Sequence, residues 1–175
     1  MENAVIAMIS IAIILSGTMS LMLSSIPSID TLSTSWKQMT QLAGEMRRTE
    51  IVTDNCTVSN EGVRVEVIIR NDGEISLGDF NSWDVVINYS SDNGTVSRWL
   101  PYTLSIPPEN NRWTISEFRF NGSAETIEPN ILNPGEDMKI LMQLNPGVAV
   151  NTTNRVTIST PNGVAAQAIF QRGGT

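Results

Sequence analysis

The sequence predicts an α+β chain: a long, hydrophobic-to-amphipathic N-terminal helix, residues 1–50, followed by an immunoglobulin-like antiparallel β-sandwich, residues 51–175. Three observations predict it. From Asn3 to Ile29 there is no charged residue and 17 of the 27 positions are apolar, and apart from Glu2 and Asp30 every charge falls after residue 36. From about residue 50 the apolar period changes from helical to alternating. The alternating runs are separated by Asn-Gly, Asn-Pro-Gly and Asn-Asp-Gly turn signals.

The uncharged stretch comes first. At ~1.5 Å rise per residue it makes a helix of about 40 Å, enough to cross an apolar bilayer core of ~30 Å. A cleaved secretory signal needs a basic leader and a short apolar core. Here only Met1, Glu2 and Asn3 precede the apolar run, and the run is too long. A permanent anchor should place Lys and Arg on its cytoplasmic side. None precedes the span, whereas Lys37, Arg47 and Arg48 follow it, which would turn the C-terminal domain inward. A basic leader removed ahead of Met1, or a helix that ends in a protein core rather than lipid, resolves that conflict.

The helix is expected to continue past membrane length. Ile26, Ile29, Leu32, Trp36, Met39, Leu42 and Met46 recur every three or four residues, close to the ~3.5 period of packed helices. Two readings of this seam stand: packing on the chain's own β-domain, or contact between subunits. Pro27 is expected to kink the helix or open a short non-helical step, and Gly44 to weaken it further on. Ala12, Ser16, Ser20 and Ser24, four apart, form a ridge of small side chains. Such ridges let helix backbones approach closely in lipid, although Ala and Ser are common enough to recur by chance. Six of the eight Met residues lie in the first 46 positions, where flexible thioethers suit a surface meeting several neighbours.

Beyond the helix, Val63, Val65, Val67 and Ile69 alternate with more polar positions, as do Val85, Ile87 and Tyr89, and Met138, Ile140, Met142 and Leu144. Residues 96–100, 113–120, 155–160 and 164–170 are further strands. Seven short strands in this length indicate a sandwich or a related barrel. The Cys…Trp…Cys pattern of antibody domains is absent, since Cys56 is alone and is read as a small, partly buried residue.

Five Asn-x-Ser/Thr sequons, at Asn55, Asn88, Asn93, Asn121 and Asn151, all lie after the helix. Asn93 and Asn121 fall in expected turns, where a glycan disturbs no sheet. Function classes narrow by composition. With no His and one Cys, Ser/His/Asp triads, most metal sites and disulfide frameworks are unavailable. A net charge of −7 lacks the basic stripe of a nucleic-acid binder. The carboxylate pairs Asp72/Glu74 and Glu136/Asp137 sit at turns and read as solvated turn residues, and the loop at Asp92 lacks calcium-ligand spacing. No enzyme and no cofactor is expected.

An apolar helix running through an amphipathic stretch into a β-sandwich resembles the type IV pilin plan, and within it archaellins, the filament proteins of the archaeal swimming organelle. The residues that carry the resemblance are Asn71-Asp72-Gly73, Leu77-Gly78-Asp79-Phe80 leading into Ser82-Trp83-Asp84-Val85-Val86, Asn133-Pro134-Gly135-Glu136, and Pro161-Asn162-Gly163-Val164. They resemble equally the accessory pilin-like proteins encoded with archaellins. Bacterial pilins carry a Glu at the fifth mature position; here the only early acid is Glu2, a charge favourable at a helix N-terminus.

The resemblance implies a structural subunit of an extracellular helical filament, a homopolymer serving motility or adhesion. It would pass through the membrane before an assembly machine lifts it into the filament. The alternative it implies is a membrane-anchored accessory protein binding the cell envelope or a surface layer. A secreted enzyme is disfavoured by the missing chemistry.

Overall fold

The computed structural model describes residues 2–125, 127–128 and 130–174, with the side chains of 23–29 outside the described residues. The chain divides into two compact units, Met1–Gly44 and Glu45–Thr175.

Helix α1 runs from Glu2 to Arg48, and its backbone stays helical through Pro27, so the expected non-helical step is absent. Glu2 lies in the first turn and Arg47 and Arg48 in the last, each opposing the local sign of the helix dipole. The hydroxyls of the apolar part find partners within the helix. Ser10 donates to the Ile6 carbonyl at 2.9 Å, Ser16 to Ile13 at 3.0 Å and Thr18 to Leu15 at 3.0 Å. Such back-bonding satisfies the polar atoms of a helix without water.

The second unit holds nine strands: β1 (Ile51–Ser59), β2 (Arg64–Asn71), β3 (Asp84–Ser91), β4 (Gly94–Leu100), β5 (Arg112–Phe120), β6 (Ser123–Ala124), β7 (Asp137–Gln143), β8 (Thr153–Ser159) and β9 (Ala165–Gln171). They form two antiparallel sheets, ordered β1-β2-β7-β5-β6 and β4-β3-β8-β9. Period-2 alternation sets the register. Val65, Val67 and Ile69 lie opposite Met142, Ile140 and Met138 on the inner face of the first sheet. Val85 and Ile87 lie opposite Ile158 and Val156 on that of the second. All ten are fully buried. Phe80 joins the two sides of the core, with its ring 5.3 Å from Trp83 and 5.6 Å from Phe118.

Several expected strands start or end differently: Thr160 lies beyond β8 and Val164 ahead of β9. Val63 is not in β2; it caps a 3-10 turn at φ −81°, ψ −28°, where its carbonyl accepts from Leu144 N, itself just beyond β7. Two strands lie outside the expected set, β1 and the two-residue β6. β1 carries a bulge between Thr53 and Asn55 that breaks its alternation. At this edge Thr53 Oγ1 donates to the Gln167 carbonyl of β9 at 2.7 Å, bridging the edges of the two sheets.

The turn signals adopt the geometry their residues favour. Asn121 and Gly122 both have positive φ, +50° and +79°, the type I′ turn that fits strand twist. In Asn133-Pro134-Gly135-Glu136, Glu136 N donates to the Asn133 carbonyl at 3.0 Å and Gly135 sits at φ +82°, a type II turn.

Candidate functional site

Two features are candidates for function: the surface of α1, and the end of the sandwich that receives the last helical turn. Glu2–Met22 is long and apolar enough to cross a bilayer, and none of its side chains is buried. Large apolar residues occur all round it, from Val5 and Ile6 to Leu21 and Met22. Ala12, Ser16 and Ser20 are exposed among them. Along the seam Leu32, Trp36, Met39, Leu42 and Met46 are exposed too, Trp36 to 66%. The side chains of Ser24, Ile26, Pro27 and Ile29 lie outside the described residues.

The second unit begins with the last turn of α1, and two of its turn motifs meet there. Thr49 ends the helix by donating N and Oγ1 to the Glu45 carbonyl, at 3.0 and 2.8 Å. Asn162 Nδ2, from the Pro-Asn-Gly turn, donates to Thr49 Oγ1 at 2.7 Å. From the Asn-Asp-Gly turn, Asp72 N and Gly73 N donate to the Glu50 carbonyl and Glu74 N to that of Arg48. Only glycine fits at 73, because a Cβ would stand 2.5 Å from Arg48 O and 2.6 Å from Glu50 N.

Asn71 ties this joint to the rest of the domain. It is fully buried; its Nδ2 donates to the Ile75 and Leu132 carbonyls at 2.8 and 2.9 Å, and its Oδ1 accepts from Gly73 N at 3.1 Å. Its backbone N donates to Glu136 O and its carbonyl accepts from Gly135 N, so the Asn-Pro-Gly-Glu turn is held by the same residue. Sequence reasoning finds these turns but not the joint they form.

Three of the acids singled out earlier, Asp72, Glu136 and Asp137, are engaged in local contacts. Asp72 and Asp137 lie 3.7 and 3.4 Å from Arg70 Nε, and Glu136 Oε2 accepts from Asn133 N at 2.8 Å. Glu117 faces Arg119 and Lys139, and the Arg119 hydrogen bond holds its carboxyl below the usual range. Among the described residues no three His, Cys, Asp or Glu side chains gather to hold a metal ion. Burial pushes the Cys56 thiol up to about 12.

Four of the five sequon asparagines are exposed: Asn55 in β1, Asn93 in the β3–β4 turn, Asn121 in the β5–β6 turn, and Asn151 at φ +58°. Asn88 is half-buried within β3, between Ser97 and Arg155 of its neighbours. A groove of about 370 Å³ lies by Tyr102, Leu104, Ile106 and Phe118, with Leu104 84% exposed at its rim.

One uncovered apolar helix joined to a two-sheet antiparallel sandwich is the class of architecture the chain defines. Solved structures make it more particular: the chain has an archaellin-like fold. It is similar to the archaeal flagellum of Methanospirillum hungatei strain JF1, at a TM-score of 0.54 and 14% identity, over 99% of this chain and 94% of that one. It is similar to flagellin FlaB1 from Methanocaldococcus jannaschii, at a TM-score of 0.57 and 11% identity, over 73% and 91%. It is similar as well to the archaellum periplasmic stator complex of FlaF and FlaG from Sulfolobus acidocaldarius, at a TM-score of 0.51 and 24% identity, over 70% and 89%. No family profile and no curated protein matches the sequence.

Proposed function

We propose that the chain is a structural subunit of an extracellular helical filament of the archaellum kind, built from identical copies through α1. The observation that carries this reading is the uncovered helix. Eleven large apolar side chains between Val5 and Met22 are exposed, which a bilayer or a bundle of like helices would cover. The likeness to the Methanospirillum filament supports it, because that match spans helix and sandwich together.

In a membrane these side chains are already out of water, so transfer into a filament gains little hydrophobic free energy. Close packing of the Ala12, Ser16, Ser20 and Ser24 ridge, and of the seam from Ile26 to Met46, then holds the core. Return to water would expose the eleven at ~1.5–3 kcal/mol each, roughly 15–30 kcal/mol per subunit, so the assembled state is very stable. An assembly machine at the membrane supplies the extraction. The sandwiches form the outer wall, and sugars on Asn55, Asn93, Asn121 or Asn151 face solvent.

The second reading is a membrane-anchored accessory protein whose sandwich binds the envelope or a surface layer. The higher identity to the FlaF and FlaG stator complex favours it. Electron microscopy of filaments sheared from cells, with mass identification of their subunit, separates the two. Filaments built of this chain support the first reading. A chain recovered only from membranes by detergent, and never from filaments, refutes it in favour of the second.

A further inference from the structure

We propose that Asn121-Gly122 is a site of spontaneous covalent modification, where the side-chain amide converts to aspartate or isoaspartate through a cyclic imide. The Gly122 backbone nitrogen attacks Cγ of Asn121. The new N–Cγ bond forms, the Cγ–Nδ2 bond breaks, and the side-chain nitrogen leaves as ammonia with the peptide proton. Water then opens the ring at either carbonyl. Water is the only reactant consumed, and no oxidation occurs.

The chain has three Asn-Gly pairs, at 93–94, 121–122 and 162–163, and their surroundings differ in what the reaction needs. At Asn162 every participating group is held. Nδ2 donates to Thr49 Oγ1 at 2.7 Å, Oδ1 accepts from Thr160 Oγ1 at 2.5 Å, and Gly163 N donates to the Thr160 carbonyl at 2.9 Å. Asn93 is held on both sides by one hydroxyl: Ser91 Oγ accepts from Asn93 N at 3.3 Å and donates to Gly94 O at 2.9 Å. Asn121 is exposed, and among the described residues neither its side chain nor Gly122 N makes a hydrogen bond. A Cβ built on Gly122 meets nothing within 4 Å, as at Gly94 and Gly163, so room is common to the three turns and the bonding of the reacting groups is what separates them. Glycine at this position also removes the side chain that elsewhere shields the attacking nitrogen.

The products matter to the fold. Either one places a carboxylate in the turn and destroys the Asn121-Gly122-Ser123 sequon. Isoaspartate in addition inserts a backbone methylene into a two-residue type I′ turn. That turn registers β6, which pairs with β5 through Arg119↔Ala124 and Phe120↔Ser123, with Glu125 N donating to the Phe118 carbonyl just beyond.

The test is to age the full, unglycosylated chain in detergent at mildly alkaline pH and follow each Asn-Gly peptide by mass and by chromatographic separation of the isoaspartyl form. Asn121 should convert first, Asn93 next, and Asn162 roughly tenfold or more behind Asn121, since its hydrogen bonds must break before reaction. In denaturant the three rates should converge, because only the fold separates them. Equal rates at Asn121 and Asn162 in the folded chain, or the same ordering in denaturant, would overturn the proposal. The variant Asn121→Gln should give no product in that peptide; product there would place the reaction at another residue and overturn it too.

Discussion

The substitution Asn71→Asp exchanges one side-chain nitrogen for oxygen at nearly constant shape, at a fully buried polar position of the sandwich. The native amide donates to the Ile75 and Leu132 carbonyls at 2.8 and 2.9 Å with no exposure to water. An aspartate side chain keeps the bond accepted from Gly73 N but loses both donated ones. Two net hydrogen bonds at about 1 kcal/mol each, and a carbonyl left without a donor at about 1–3 kcal/mol, give a loss of roughly 3–5 kcal/mol. For a domain of this size that lowers Tm by about 10–20 °C. The assay is thermal unfolding of the full chain in detergent, read by near-ultraviolet circular dichroism, to which the buried Trp83 and Trp113 of the sandwich contribute more than the exposed Trp36 of α1. The pH dependence has a definite sign. Carbonyl oxygens on two sides favour the protonated acid, so the folded pKa of the introduced carboxyl lies above the unfolded value of ~3.9. A protonated acid also recovers one donated bond. The deficit is therefore smallest below the unfolded pKa and grows as pH rises through the folded one. A variant within about 1 kcal/mol of the native chain at neutral pH, or a deficit that grows on acidification, refutes the assignment of Asn71 as the donor that closes this end of the sandwich.

Gly73→Ala should destabilise the second unit by about 2–3 kcal/mol, because the new methyl meets the backbone of Arg48 and Glu50; denaturant titration checks it. Ser16→Leu with Ser20→Leu should impair filament assembly while near-ultraviolet circular dichroism of the sandwich stays unchanged. Ser16→Ala should assemble normally, since the Ser16 hydroxyl is already bonded to the Ile13 carbonyl and small size is what counts. The raised Cys56 thiol should alkylate roughly a hundred- to a thousandfold more slowly at neutral pH in the folded chain than in denaturant. Since that pKa is raised, the folded chain holds the proton longer; its contribution to stability is intact below pH 9.0 and lost as pH rises towards about 12.

How much of this is legible in the sequence depends on the range over which each feature is specified. The helix is legible because its signal, a long run without charge, is a property of composition that no tertiary contact is needed to interpret. The inner faces of β2, β3 and β7 are legible because Val65, Val67 and Ile69, and their partners, keep strict period-2 alternation where both sheets cover them. β1 is not, because it is an edge strand with a bulge at Thr53/Asn55 and with polar Asp54 and Asn55 where a central strand would place apolar residues. Pro27 is expected to kink the helix or open a short non-helical step, yet α1 continues as helix through it; proline removes one backbone bond, and a long helix retains the others around it. The joint is the instructive case. Asn71-Asp72-Gly73 and Pro161-Asn162-Gly163 are each readable as turns from local chemistry. That both converge on residues 48–50 is decided by which strand ends share one end of the sandwich, a fact of topology that no local pattern encodes. The same reasoning separates Asn162 from Asn121. Identical dipeptides, equally legible as turns, differ in chemical fate because one lies against Thr49 and Thr160 and the other projects from a free hairpin.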